Sequence, residues 1–185
     1  MTRKLLSIMA IPIAFFIFSK PAQAEIYVSG SSAMLKDEVF AITKMKNNNP
    51  RIEKLKAFLI KHQSPLAAYT QELIKAAEIY QLDWKLLPAI SGVESTFGKR
   101  IPPGSYNAYG WNNGNRYFVS WEDSINQVSQ ALREKYVNRG LDTPYKMGPI
   151  YAPPSPTWAT KVVYFMEQIE SFNEKNFLGT PNLTL

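Results

Sequence analysis

Between residues 51 and 170 the apolar residues of this 185-residue chain recur at helical spacing, which leaves little room for anything but a helical architecture. Residues 52–61 read as a first helix. Ser64 has the place of an N-cap with Pro65 in the first helical position. Behind it Leu66, Tyr69, Leu73, Ala76, Ala77 and Tyr80 make one apolar face. Asp83 is placed to cap the next helix. Pro88 is awkward there, so that helix either starts later or bends at the proline. Ser120-Trp121-Glu122-Asp123 fits a capping box, the helix behind it buries Trp121, Ile125, Val128 and Leu132, and Gly140 ends it. Residues 141–154 read as turns. Ser155-Pro156 opens a last helix with Trp158, Val162, Phe165 and Ile169 on one face. The expected fold is all-α in a single domain, with a small hairpin near Asn113-Gly114 as the only β structure.

The first 24 residues do not belong to that fold. Arg3 and Lys4 precede an apolar run, and Ala22-Gln23-Ala24 is a small-residue cleavage signature, so residues 1–24 read as a signal peptide. The run is short for a bilayer span; an uncleaved membrane anchor is the alternative. Residues 25–50 read as a linker or strap, residues 51–174 as the domain and residues 175–185 as a tail. With no cysteine, an exported chain must rely on its core rather than on disulfides. The formal charge of +6 falls to +3 once Arg3, Lys4 and Lys20 leave with the signal. That mild excess suits an anionic polymer such as a bacterial cell wall, although solubility alone also accounts for it. Nucleic acid is a partner that an exported chain rarely meets. The expected location is therefore secreted or periplasmic, with no membrane association after cleavage and a monomeric state.

One carboxyl stands out. Glu94 ends an apolar stretch that stops at Gly98, and the nearest positive charges in sequence, Lys99 and Arg100, lie beyond that glycine. Desolvation and the negative end of the helix dipole both hold such a carboxyl protonated, as a general acid requires. The loop that follows is the longest in the domain and is rich in aromatics. Tyr109 and Trp111 offer ring faces on which sugars stack, and Asn107 offers the donor and acceptor that an acetamido group needs. Burial in the core is the competing account of these three, and the preferred one for Phe97, Phe118 and Trp121. His62 is the only histidine. A serine or cysteine triad therefore lacks parts and no zinc site is expected; His62 itself reads as a surface or linker residue. No cofactor is called for.

Glu94-Ser95-Thr96-Phe97-Gly98 followed by Tyr106-Asn107-Ala108-Tyr109-Gly110-Trp111 resembles the catalytic stretch of lysozyme-like peptidoglycan hydrolases, and within them the endo-β-N-acetylglucosaminidase group. Phe118-x-Ser120-Trp121-Glu122-Asp123 resembles that group's next helix start. Tyr151-Ala152-Pro153-Pro154 with Trp158-Ala159-x-Lys161-Val162 resembles its closing tyrosine motif and last helix. The lytic transglycosylases share the Glu-Ser-x-Phe element. The resemblance spans residues 64–170 and implies a lysozyme-like fold, cleavage of the β-1,4-linked glycan strands of peptidoglycan, Glu94 as general acid, Tyr151 as a second catalytic residue supporting the transition state, and Ser95, Asn107, Tyr109 and Trp111 as substrate contacts. Lys99, Arg100 and Arg116 flank the implied cleft and are placed to meet peptide-stem carboxylates, with solvated surface the blander account.

The chain departs from a two-carboxylate design: residues 95–121 hold no Asp or Glu. Glu122 and Asp123, next in line, suit the first turn of a helix on dipole grounds alone. Asp142 reads as a turn residue. With one carboxyl, either the substrate's acetamido oxygen attacks and water completes hydrolysis, or the sugar's 6-hydroxyl attacks and leaves an anhydro end. A wall-binding module without turnover is the alternative of a different class.

Overall fold

Asn49 opens the first helix, α1 (Pro50–Lys61), by accepting a hydrogen bond from the Arg51 backbone N–H, and Pro50 sits where a missing N–H costs nothing. The computed structural model describes residues 49–174 and Phe177. The expected signal peptide, nearly all of the strap and most of the tail lie outside those residues. Ser64 caps as expected, its Oγ accepting from Leu66 N at 3.1 Å. What it opens is a 3₁₀ turn, Pro65–Tyr69, and α2 (Thr70–Ile79) follows, so one apolar stripe is shared by two elements.

The helix carrying Glu94, α3, spans Leu86–Ser95. It starts later than Asp83, whose carboxylate takes the Lys85 N–H, and this places Pro88 in the first turn, where a proline costs no helical hydrogen bond. Ser120 opens α4 (Trp121–Lys135) by accepting from Asp123 N, while Asp123 reaches back to Val119 N. That helix ends at Lys135, earlier than Gly140; a 3₁₀ turn, Val137–Arg139, separates the two. The span read as turns holds α5 (Pro144–Tyr151). Thr143 caps it and Pro144 occupies its first position, so the residues that look like breakers include a starter. The last helix, α6, spans Trp158–Glu170.

The described residues are all-α, with no strand among them. Asn113 and Gly114, at φ of 53° and 80°, do make a tight turn, closed by Asn115 N to Asn112 O at 2.9 Å, but the residues on either side of it do not pair as strands, so the expected hairpin does not form. Backbone bonds from Phe118 N to Ser105 O at 2.9 Å and from Arg116 N to Trp111 O at 3.4 Å help tie the loop's two limbs.

The core runs through every helix, from Leu55, Leu59, Leu66 and Leu73 to Ile90, Ile125, Leu132 and Ile169. Each such side chain contributes about 1.5–3 kcal/mol by leaving water. α3 packs most extensively against α6, and α5 packs on the first turn of α6, at Trp158 and Ala159. At Gly92 the fit is tight: a Cβ there would lie 2.7 Å from the Phe97 ring and 3.0 Å from Phe165. The two rings touch each other, 5.0 Å between centroids, and seat this face of α3 closely. Among the described residues no helix is long and apolar enough to cross a membrane.

Candidate active site

The end of α3 does not unwind into solvent. Thr96, Phe97 and Gly98 all take positive φ, at 54°, 60° and 82°. For Thr and Phe that conformation costs on the order of 1–2 kcal/mol each. Three interactions hold it: Phe97 N bonds back to Ser91 O at 2.9 Å, the Phe97 ring is fully buried, and Ser64 Oγ donates to Phe97 O at 2.7 Å. Ser95 then fastens the helix end to the next loop, its Oγ donating to Ala108 O at 2.7 Å and accepting from Gly98 N at 2.9 Å.

That loop is organised by one side chain. The Asn107 carboxamide donates to Trp111 O and Arg116 O, at 2.9 and 3.0 Å, and accepts from Trp111 N at 3.0 Å. These bonds close the loop around its own amide and carry Gly110, at φ 64°, against Glu94. A Cβ at position 110 would overlap the Glu94 carboxyl, so only a residue without a side chain fits.

Glu94 is half-buried. Its Oε1 accepts from the Trp158 indole Nε1–H at 2.7 Å, and its Oε2 faces Gly110. Glu94 takes part in none of the ion pairs among the described residues. Desolvation raises its pKa above the ordinary carboxylate value, and the Trp158 bond offsets part of the rise. With Oε1 occupied by an N–H donor, the acidic proton belongs on Oε2.

Tyr151, the last residue of α5, stacks on Trp158 with ring centroids 4.7 Å apart and planes 24° apart. Its hydroxyl donates to Tyr109 O at 2.6 Å. Burial and then the charge of Glu94 push the phenol well above its usual range, so it stays a hydroxyl. Tyr151, Tyr136, Trp111 and Gly110 line a shallow depression of about 170 Å³ that holds no acidic residue. Glu94 does not line it; the two meet through Gly110 and Tyr151. Trp111 also borders a larger groove of about 510 Å³, lined mainly by residues of α4. Compared with known proteins, the chain matches no family model and no curated protein.

The structure therefore brings Glu94, Tyr151 and Trp111 together and gives the other expected contacts different work. Tyr109 is fully buried, its hydroxyl without a hydrogen-bond partner in good geometry and its pKa raised by desolvation. Asn107 is 3% exposed with its amide committed to the loop, and Ser95 is 3% exposed with its hydroxyl committed to Ala108. None of these three side chains is open to a ligand in this conformation; Asn107 and Ser95 instead hold the loop in place. Asp123 spends its carboxylate on Val119 N and on Gln127 Nε2, as a capping residue should. Glu122 lies in a separate hollow with Glu72 and Ile79, between α2 and α4. His62 is no simple surface residue. It caps α1 and packs on Phe58 and Phe97 at 4.5 and 4.6 Å between centroids, with burial lowering its pKa.

Two site residues escape sequence reading. Trp158 reads as core, and is, at 2% exposed; the signal available was that a buried indole N–H needs an acceptor. Gly110 reads as a loop glycine, and only its place against Glu94 shows why no larger residue fits. Among the described residues no three His, Cys, Asp or Glu side chains converge as metal ligands would.

Proposed function

We propose that this chain is an exported glycosidase of the endo-β-N-acetylglucosaminidase kind, cutting β-1,4 bonds between N-acetylated amino sugars in peptidoglycan with Glu94 as the single general acid and base. The observation that carries the reading is the state of Glu94: half-buried, unpaired with any cation, held by one indole N–H, and pressed against a glycine beside a tyrosine-walled depression. A carboxyl so placed holds its proton to higher pH than an ordinary carboxylate does, and Oε2 is the oxygen left to present it.

The chemistry follows from that arrangement. Oε2 gives its proton to the bridging oxygen as the bond from that oxygen to C1 breaks. Positive charge then develops on the ring. With no acidic side chain lining the depression, the substrate's own acetamido oxygen is the group that attacks C1. Water subsequently opens the resulting ring, giving its proton to the Glu94 carboxylate and restoring the acid. Tyr151, fixed by its bond to Tyr109 O, offers its hydroxyl oxygen to the developing charge.

The decisive experiment is clearing of purified cell-wall sacculi by the mature protein and by Glu94→Gln. The substitution keeps an acceptor for Trp158 and removes the acid, and activity should fall by a factor of about 10²–10⁴. Equal clearing by both proteins rejects the reading. Wall binding without clearing by the wild-type chain points to a binding module. Mass spectrometry of the products separates hydrolysis from transglycosylation: reducing N-acetylglucosamine ends support the former, anhydro-muramic ends the latter.

A further inference from the structure

The groove of about 510 Å³ that Trp111 borders along α4 is chemically unlike the depression near Glu94. Its lining carries two cations, Arg116 and Lys135, two glutamine carboxamides and one carboxylate, Glu134. The cations are positioned rather than loose. Asp123 Oδ1 accepts from Gln127 Nε2 at 2.7 Å, and Gln127 Oε1 accepts from Arg116 Nη2 at 3.0 Å, while the guanidinium lies 5.5 Å from the Phe118 ring centroid. Lys135 Nζ lies 5.8 Å from the Trp111 ring centroid and takes part in no ion pair among the described residues. Most of the guanidinium donors and all those of the ammonium therefore remain open to a ligand. Gln130 Nε2 holds Glu134 Oε1 at 2.8 Å, which leaves the other carboxylate oxygen for an amide N–H or an amine.

A neutral sugar needs ring faces and carboxamides, not a pair of open cations. We propose that this groove is a subsite for a carboxylate-bearing peptide attached to the sugar chain, with Arg116 and Lys135 taking its carboxylates and Glu134 its N–H groups. Trp111 and Asn112 line both hollows, so a sugar held against Trp111 has the basic groove next to it. The assignment rests on the glycan-cutting reading for its substrate, and it makes the chain selective for peptide-bearing over bare glycan. Arg116 is a suitable test position because Asn107 binds its backbone carbonyl, so changing the side chain leaves that loop bond in place.

The test compares peptide-bearing glycan strands with the same strands stripped of peptide by an amidase, using the mature protein and the double variant Arg116→Gln, Lys135→Gln. For wild type, KM should be about fivefold to tenfold lower on peptide-bearing strands, the scale of two solvent-accessible ion pairs. The double variant should lose that preference with kcat little changed, and added salt should erode it in the wild type. Equal wild-type KM on both strands overturns the proposal, as does a double variant that loses equally on both. A second arm measures binding of soluble peptide-bearing fragments to Glu94→Gln by calorimetry, where turnover plays no part. Tighter binding of peptide-bearing than of stripped fragments, lost on changing Arg116 and Lys135, supports the subsite even if the wild type cuts neither strand; indifference to the peptide rejects it whatever the enzyme cuts.

Discussion

The helical frame and the segment from Thr96 to Phe118 are built by different rules. In the frame, side chains cap the starts of α1, α4 and α5, apolar residues face inward, and, glycine apart, only Gln63 and Gln81, at helix ends, take positive φ. In the segment, five of the seven described non-glycine residues with positive φ crowd together: Thr96, Phe97, Tyr106, Asn112 and Asn113. Each costs on the order of 1–3 kcal/mol and persists only where its surroundings impose it. The difference teaches that this chain spends stability around Glu94 to hold a carboxyl and a loop in fixed contact, and recovers it from the core.

Gly110→Ala attacks that contact most directly. The new methyl would overlap the Glu94 carboxyl at a backbone angle that already disfavours it. We expect a loss of more than tenfold in activity and about 1–3 kcal/mol in stability. Gly114→Ala is the matched control: φ is 80° but nothing lies within 4 Å of the added atom. It should lose about 1 kcal/mol in denaturant titrations and keep its activity. If both variants behave alike, the fit at position 110 is not what matters.

Trp158→Phe is the next step down. It preserves an aromatic ring against Tyr151 and removes the one N–H that favours ionised Glu94. The carboxyl should then hold its proton to higher pH, moving the alkaline limb of the kcat/KM profile upward, with a stability cost of about 1–2 kcal/mol. A profile unchanged by the substitution would detach Trp158 from the acid.

How much of this was legible in the sequence follows the same division. Ser64 and Ser120 were readable as caps because a short hydroxyl before an apolar periodic run has few other uses. Glu94 was readable because an isolated carboxyl in an apolar run is itself unusual. Asn107 and Tyr109 were not, since a single irregular loop has no periodicity to say which side chains face inward. α5 was hidden behind Pro144, Gly148 and Pro149, although proline at the first position starts a helix; that the helix then runs through Pro149 goes against the residue's usual effect. The partnership of Trp158 with Glu94 joins side chains 64 positions apart and exists only in three dimensions.

The smallest expected effects concern pH. Glu94 has a raised pKa in the folded chain, so the stability it lends is present below about pH 4 and lost as pH rises through the folded value. Glu94→Gln should therefore melt a few degrees higher than wild type at pH 7, with the gap closing toward pH 4. His62 works in the opposite sense. Its pKa is lowered by burial and by Lys61 and Lys99, so its contribution is complete above about pH 6.5 and is lost as pH falls below that. Replacing it by Phe should flatten the acid side of the stability curve, measured by melting temperature between about pH 4 and 8.

Trp158 also gives the molecule an optical reporter. An indole whose N–H ends on a titrating oxygen emits differently when that oxygen gains or loses charge. The difference in fluorescence between the wild-type chain and Glu94→Gln, followed through a pH titration, would thus display the ionisation of one carboxyl in real time, with no label and no substrate present.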